Sequence, residues 1–118
     1  MYFLPGGETL MPISNKPWGN ISESDYKDAA SFCKASLIDL NESGAEKVKA
    51  KCKLPVYEPG GALNRNAVHA AAAALAGARG GVDAPVEEKR KAARKLIRLY
   101  RELDEEPPDS IKRLAGVK

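Results

Sequence analysis

Five consecutive alanines, Ala70 to Ala74, sit inside a segment whose apolar residues recur at helical spacing. Val68, Ala71, Ala72, Leu75 and Ala76 share one side of a helix expected over residues 64–77. A face made of methyl groups buries little area, at about 25 cal/mol per Å² of apolar surface. It becomes a core only if another element comes close. The following segment supplies one. Ala92, Ala93, Leu96, Leu99, Tyr100 and Leu103 form the stripe of a second, longer helix that ends at Pro107-Pro108. Asn64 is the expected N-cap of the first helix, and Gly77 and Gly80-Gly81 stop it. For the second helix Asp83 is the expected cap, with Pro85 in the first turn and Glu87 and Glu88 at the positive end. Asp109 to Leu114 add a last helical turn, docked through Ile111 and Leu114.

Upstream of the helices the period changes from helical to two. Val48, Ala50, Cys52 and Leu54 alternate with Lys49, Lys51 and Lys53, the pattern of a half-buried strand. Cys33 to Leu40 reads as its partner across an Asn41–Gly44 turn, and Ser22 or Ser24 caps a short helix over 22–32. Residues 1–20 hold too many prolines and glycines for a helix or a central strand, yet they carry Tyr2, Phe3, Leu4, Leu10, Ile13 and Trp18. Such a stretch is expected to be an extended arm that lays apolar side chains on a surface. The expected fold is therefore α+β: a β-hairpin packed on two main helices, with an N-terminal arm over 1–20, a single domain over 21–118 and a short C-terminal helical turn. Residues 48–106, a strand and two helices, form its best-specified module, and no repeats are present.

The 118 residues suit one domain, and a net charge of +3 with interleaved signs reads as a solubility pattern rather than a dedicated nucleic-acid footprint. The single histidine and two cysteines cannot assemble a Cys/His zinc site of the usual kind. The start lacks the basic region and apolar run of a signal peptide, and no stretch approaches the ~20 apolar residues of a membrane span. Free thiols at Cys33 and Cys52 are accordingly expected, in a protein made in a reducing cytoplasm, with a disulfide as the alternative.

Cys52-Lys-Leu-Pro-Val-Tyr-Glu-Pro-Gly-Gly-Ala-Leu-Asn-Arg-Asn-Ala-Val-His69, followed by the alanine run, Leu75-Ala-Gly-Ala-Arg-Gly-Gly-Val-Asp-Ala-Pro85 and Lys95-Leu-Ile-Arg-Leu-Tyr-Arg-Glu-Leu-Asp-Glu-Glu-Pro-Pro108, is a distinctive combination. It resembles a small domain of unknown function found in head-region proteins of tailed bacteriophages, especially those of actinobacteria, and joined to some prohead proteases. The resemblance covers roughly residues 18–110, with the signature over 48–108. It implies a phage-head context and transfers no catalytic residue.

Several residues invite chemistry. His69 could act as a base, but nothing fixes a partner for it; Ser31, Ser36 and Cys52 are nominal nucleophiles without an elbow motif. Gly77-Ala-Arg-Gly-Gly81 could approach a phosphate but lacks the P-loop lysine and spacing, so it reads as a tight helix connection. Lys91, Arg94, Lys95, Arg98 and Arg101 could meet nucleic acid or an acidic partner. Glu87, Glu102 and Glu105, each four residues away from one of them, are expected to neutralise part of that stripe. Arg65 and Asn66 have no local explanation. The expectation is a non-enzymatic virion protein without metal or cofactor, a decoration or minor head protein on the major capsid protein lattice. Its capsid anchors would be Tyr2, Phe3, Leu4, Leu10, Ile13 and Trp18. Self-association on the capsid is a further option, and neither a membrane nor nucleic acid is the expected partner. Two alternatives are a nucleic-acid binder in packaging or regulation, and a detached protease accessory domain that binds scaffold or capsid precursors.

Overall fold

The alanine-faced helix meets the longer one as its pattern requires. The computed structural model describes residues 12–116. Its elements are β1 (Ile13–Ser14), α1 (Ala29–Lys34), β2 (Ser36–Asp39), β3 (Cys52–Pro55), β4 (Leu63–Asn64), α2 (Arg65–Leu75), α3 (Val86–Glu102) and α4 (Asp109–Ala115). The chain has an α+β fold. β2 pairs antiparallel with β3, Ile38 opposite Lys53, and β1 pairs parallel with β4, Ile13 opposite Leu63.

One continuous core joins Leu37, Ile38, Val56 and Leu63 to Val68, Ala71 and Ala72 of α2, to Ala92, Ala93, Leu96, Ile97, Leu99 and Tyr100 of α3, and to Ile111 and Ala115 of α4. The alanines at 71, 72, 92 and 93 are buried on the facing sides of α2 and α3, so small residues on both helices permit the close approach. Asn64 caps α2 by accepting the Ala67 N–H at 2.8 Å. Gly77, at φ +111°, provides the left-handed residue just beyond the helix.

A second, smaller cluster holds Tyr26, Phe32, Cys33, Ala35 and Cys52. Here the structure departs from four expectations. First, Cys33 and Cys52 are joined in a disulfide rather than free, because α1 and β3 bring their Cα atoms to 5.2 Å. Second, the helix expected over 22–32 is split. Asp25 turns back to bond the Ser22 N–H at 2.8 Å and closes a 3-10 turn over Glu23–Asp25, while Asp28 restarts the chain as the true cap of α1, accepting the Ser31 N–H at 2.8 Å. Two caps this close leave no room for one long helix.

Third, the Val48–Leu54 alternation is only half realised. Val48 is 48% exposed, and Lys49–Lys51 form a 3-10 turn before β3. The cause is Asn41, whose side chain takes both main-chain groups of Val48, accepting its N–H at 2.9 Å and donating to its carbonyl at 3.3 Å. Fourth, Asp83 makes no cap. Pro85 occupies the N-cap position of α3, and no side chain bonds that helix start.

Candidate functional site

Three consecutive residues at the start of α2 hold the described part of the N-terminal arm. Asn64 is fully buried and uses its amide three ways: its oxygen caps α2, and its nitrogen donates to Glu58 Oε2 at 2.8 Å and to the Lys16 carbonyl at 3.1 Å. Arg65 Nε donates to Asn15 Oδ1 at 2.8 Å. Asn66 Nδ2 donates to the carbonyls of Asn15 and Lys16 at 3.2 and 3.0 Å. The Leu63 N–H donates to the Pro12 carbonyl at 2.9 Å. Residues 12–16 are thus tied to a rigid helix start by main-chain and side-chain bonds together. Arg65 and Asn66, unexplained by local sequence, find their role here.

Glu58 lies buried beneath this clamp. Burial pushes its carboxyl up, but hydrogen bonds from Ser14 and Asn64 and the nearby Lys16 ammonium outweigh that and hold it below its ordinary value. Beside it Tyr26 donates its hydroxyl to the Tyr57 carbonyl at 2.6 Å. Burial, aided by the negative charges of Glu58 and Asp25, pushes the Tyr26 phenol up to about 12.

A second hub ties α2 to the end of α3. Asp104 adopts φ +60°, a left-handed turn that aspartate tolerates better than most residues. The turn brings Glu105 back to α2, where one carboxylate oxygen meets His69 Nε2 at 2.7 Å and the other pairs with Arg65. The His69 ring stacks on Tyr100, centroids 5.8 Å apart. Burial raises the Glu105 carboxyl, and the bonds from His69 and Arg65, with their charges, more than reverse it, so it titrates below the usual range. His69 therefore shares a carboxylate with Arg65. Two of the nominal nucleophiles are engaged elsewhere: Ser36 donates to the Phe32 carbonyl at 2.8 Å, and Cys52 is in the disulfide; Ser31 lies in the first turn of α1, where its N–H meets the Asp28 cap. Asp39 approaches both sulfurs within 4.8 Å, but a disulfide offers no thiolate to a metal, and the Asp39 carboxylate already meets Lys47 and Asn41.

Of the expected capsid anchors, Tyr2, Phe3, Leu4 and Leu10 lie outside the described residues. Ile13 is 42% exposed on β1. Trp18 is half-buried and borders an apolar trough of about 420 Å³, lined also by Leu54, Pro55, Ala70, Ala74 and Gly81. Leu54 itself sits at φ +62°, a strained conformation for a leucine.

The basic stripe Lys91, Arg94, Lys95, Arg98 and Arg101 is exposed along α3. Its expected neutralisation by glutamates four residues away is not what the structure shows. Lys91 meets Glu88, at 3.5 Å, and Glu87 meets Arg90. Glu105 is committed to Arg65 and His69. Arg94 and Lys95 donate to main-chain carbonyls, those of Ala115 at 3.3 Å and Leu37 at 3.2 Å.

Compared with known proteins, the chain matches no family model, no curated protein and no solved structure. The residues that sequence reasoning missed are Glu58 and Asn15, and it gave Glu105 to the α3 stripe rather than to Arg65 and His69. Only one local signal pointed toward them, the run Asn64-Arg65-Asn66 at the start of α2. Three large polar side chains in one helical turn have more hydrogen-bonding capacity than a cap needs.

Proposed function

We propose that this protein is a non-enzymatic bacteriophage virion protein that decorates or stabilises the head by binding the major capsid protein lattice. The observation that carries the reading is the clamp of Asn64, Arg65 and Asn66 on residues 12–16. A clamp of this kind fixes residues 12–16, through which the apolar N-terminal segment is joined to the module. An arm anchored at its root loses less freedom on binding than a free tail, and so keeps more of the contact energy of its aromatic residues as affinity. The resemblance of residues 18–110 to phage head-region domains supports the same context. So does the disulfide, since virion surfaces are among the oxidising settings in which such bonds persist.

The test uses capsid shells assembled from the cognate major capsid protein and lacking this chain. The full chain is expected to co-sediment with the shells, and a variant lacking residues 2–11 is expected to lose binding while keeping its helical circular dichroism. Mass spectrometry of mature particles should find the chain. Full binding by the shortened variant, or absence from mature particles, overturns the reading.

A further inference from the structure

Residues 89–101 carry seven basic side chains, Lys89, Arg90, Lys91, Arg94, Lys95, Arg98 and Arg101, and no acidic one. The whole chain nets +3, so everything outside these thirteen residues nets −4. The mild overall charge conceals a sharp segregation. On an α-helix, positions 91, 94, 95, 98 and 101 share one face, and all five are exposed on α3. Among the described residues only Lys91 of these five has a carboxylate partner. Arg94 and Lys95 are oriented by carbonyl oxygens, which hold a cation in place without cancelling its charge. The glutamates that flank the stripe sit at its ends: Glu87 and Glu88 in the first turn of α3, Glu102 at the last residue.

We infer that the outer face of α3 binds the phosphate backbone of duplex DNA without reading its sequence. Four cations without a carboxylate partner among the described residues, Arg94, Lys95, Arg98 and Arg101, lie along the outer face of a helix whose other sides are packed against β2, α2 and α4. From Lys91 to Arg101 the stripe runs about 15 Å at 1.5 Å per residue. A duplex offers one negative charge per ~1.7 Å of its axis, a dense and repeating field that a row of cations meets in many registers. An acidic protein patch would have to match the spacing residue by residue. Three of the four are arginines, whose planar fork bonds two phosphate oxygens at once. This surface lies apart from the arm and does not depend on how the arm is used.

The test is fluorescence anisotropy of a labelled random-sequence duplex of about 30 base pairs, with the full chain, across about 50 to 300 mM salt. Four phosphate contacts predict a slope of log affinity against log salt of about −3.6. Arg98→Gln with Arg101→Gln should flatten the slope by about 2 and weaken binding near 0.1 M salt on the order of 50-fold. Arg98→Lys with Arg101→Lys should keep the slope, and circular dichroism checks that every variant is folded. Removing two exposed charges elsewhere, Lys34→Gln with Lys51→Gln, should change little. No binding at the lowest salt, a flat salt dependence, an equal loss in the Lys34/Lys51 variant, or preference for polyglutamate over DNA would each overturn the inference.

Discussion

Between Leu63 and Ala115 the buried side chains are almost all aliphatic or aromatic, and they form one connected core across α2, α3 and α4. Between Pro12 and Glu58 the elements are short; Leu37, Ile38 and Val56 reach into that core, and the rest of the order comes from other sources: the Asp28 cap, the Asn41 bridge to Val48, the buried Glu58 beneath Asn64, and the Cys33–Cys52 bond. The comparison shows how one short chain can use two kinds of stabilisation. Where helices present long apolar stripes, burial suffices. Where the pieces are too short to bury much, directional bonds and a covalent link hold them.

The largest way to break the contrast is to attack the helical core. Leu96 is fully buried, so Leu96→Ala should cost about 4 kcal/mol, combining lost transfer energy with a cavity. Urea unfolding followed by circular dichroism measures it. A loss below ~1 kcal/mol would mean that the helical layer is not the seat of stability. Next comes the covalent link. Cys33→Ala with Cys52→Ala opens a loop of 19 residues, worth roughly 3 kcal/mol in the loop-entropy account. The effect should concentrate in the first half of the chain, so hydrogen exchange should quicken at Leu40 and Val56 while the amides of α3 slow-exchange as before. Uniform acceleration in both halves would mean that the two halves open as one unit.

The smallest effect sharpens it most. The Glu58 and Glu105 carboxyls titrate below their ordinary 4.5 in the folded protein. Groups depressed in this way contribute stability that is present above the unfolded value and is lost as pH falls through the folded one. Acidification below about 4.5 should therefore weaken the clamp before the helices melt. The only tryptophan, Trp18, lies just past the clamped residues and reports on it. Its fluorescence should change at a higher pH than the far-ultraviolet circular dichroism, and Glu58→Gln should shrink the gap. Coincident transitions would show that arm root and helices open together.

Much of the helical half was legible in the sequence because its stripes are long enough for periodicity to be unambiguous; Val68, Ala92 and Leu96 announce their face. The cap at Asn64 was legible for a local reason, its side chain bonding three residues ahead. The first half was harder to read. Its decisive bonds join residues far apart, such as Asn66 to Asn15 and Tyr26 to Tyr57, and no pattern within one window can register them. The alternation from Val48 to Leu54 pointed to a strand of seven, but Asn41 captured its first residue from outside that window. The cysteines were open to either state on spacing alone, and only the approach of α1 to β3 decided between them. The glutamates four residues from the α3 cations gave a plausible neutralisation, but Glu87 pairs three residues on with Arg90, and Glu105 is taken by Arg65 and His69 of α2.

The clamp also imposes an order on the protein's making. Asn15 and Lys16 are synthesised early, but their partners Asn64, Arg65 and Asn66 follow 48 to 51 residues later. At about 5 to 20 residues per second the ribosome leaves the arm root unpaired for several seconds. The arm root is thus made well before its clamp, and in that interval a chaperone or a neighbouring nascent chain would compete for it.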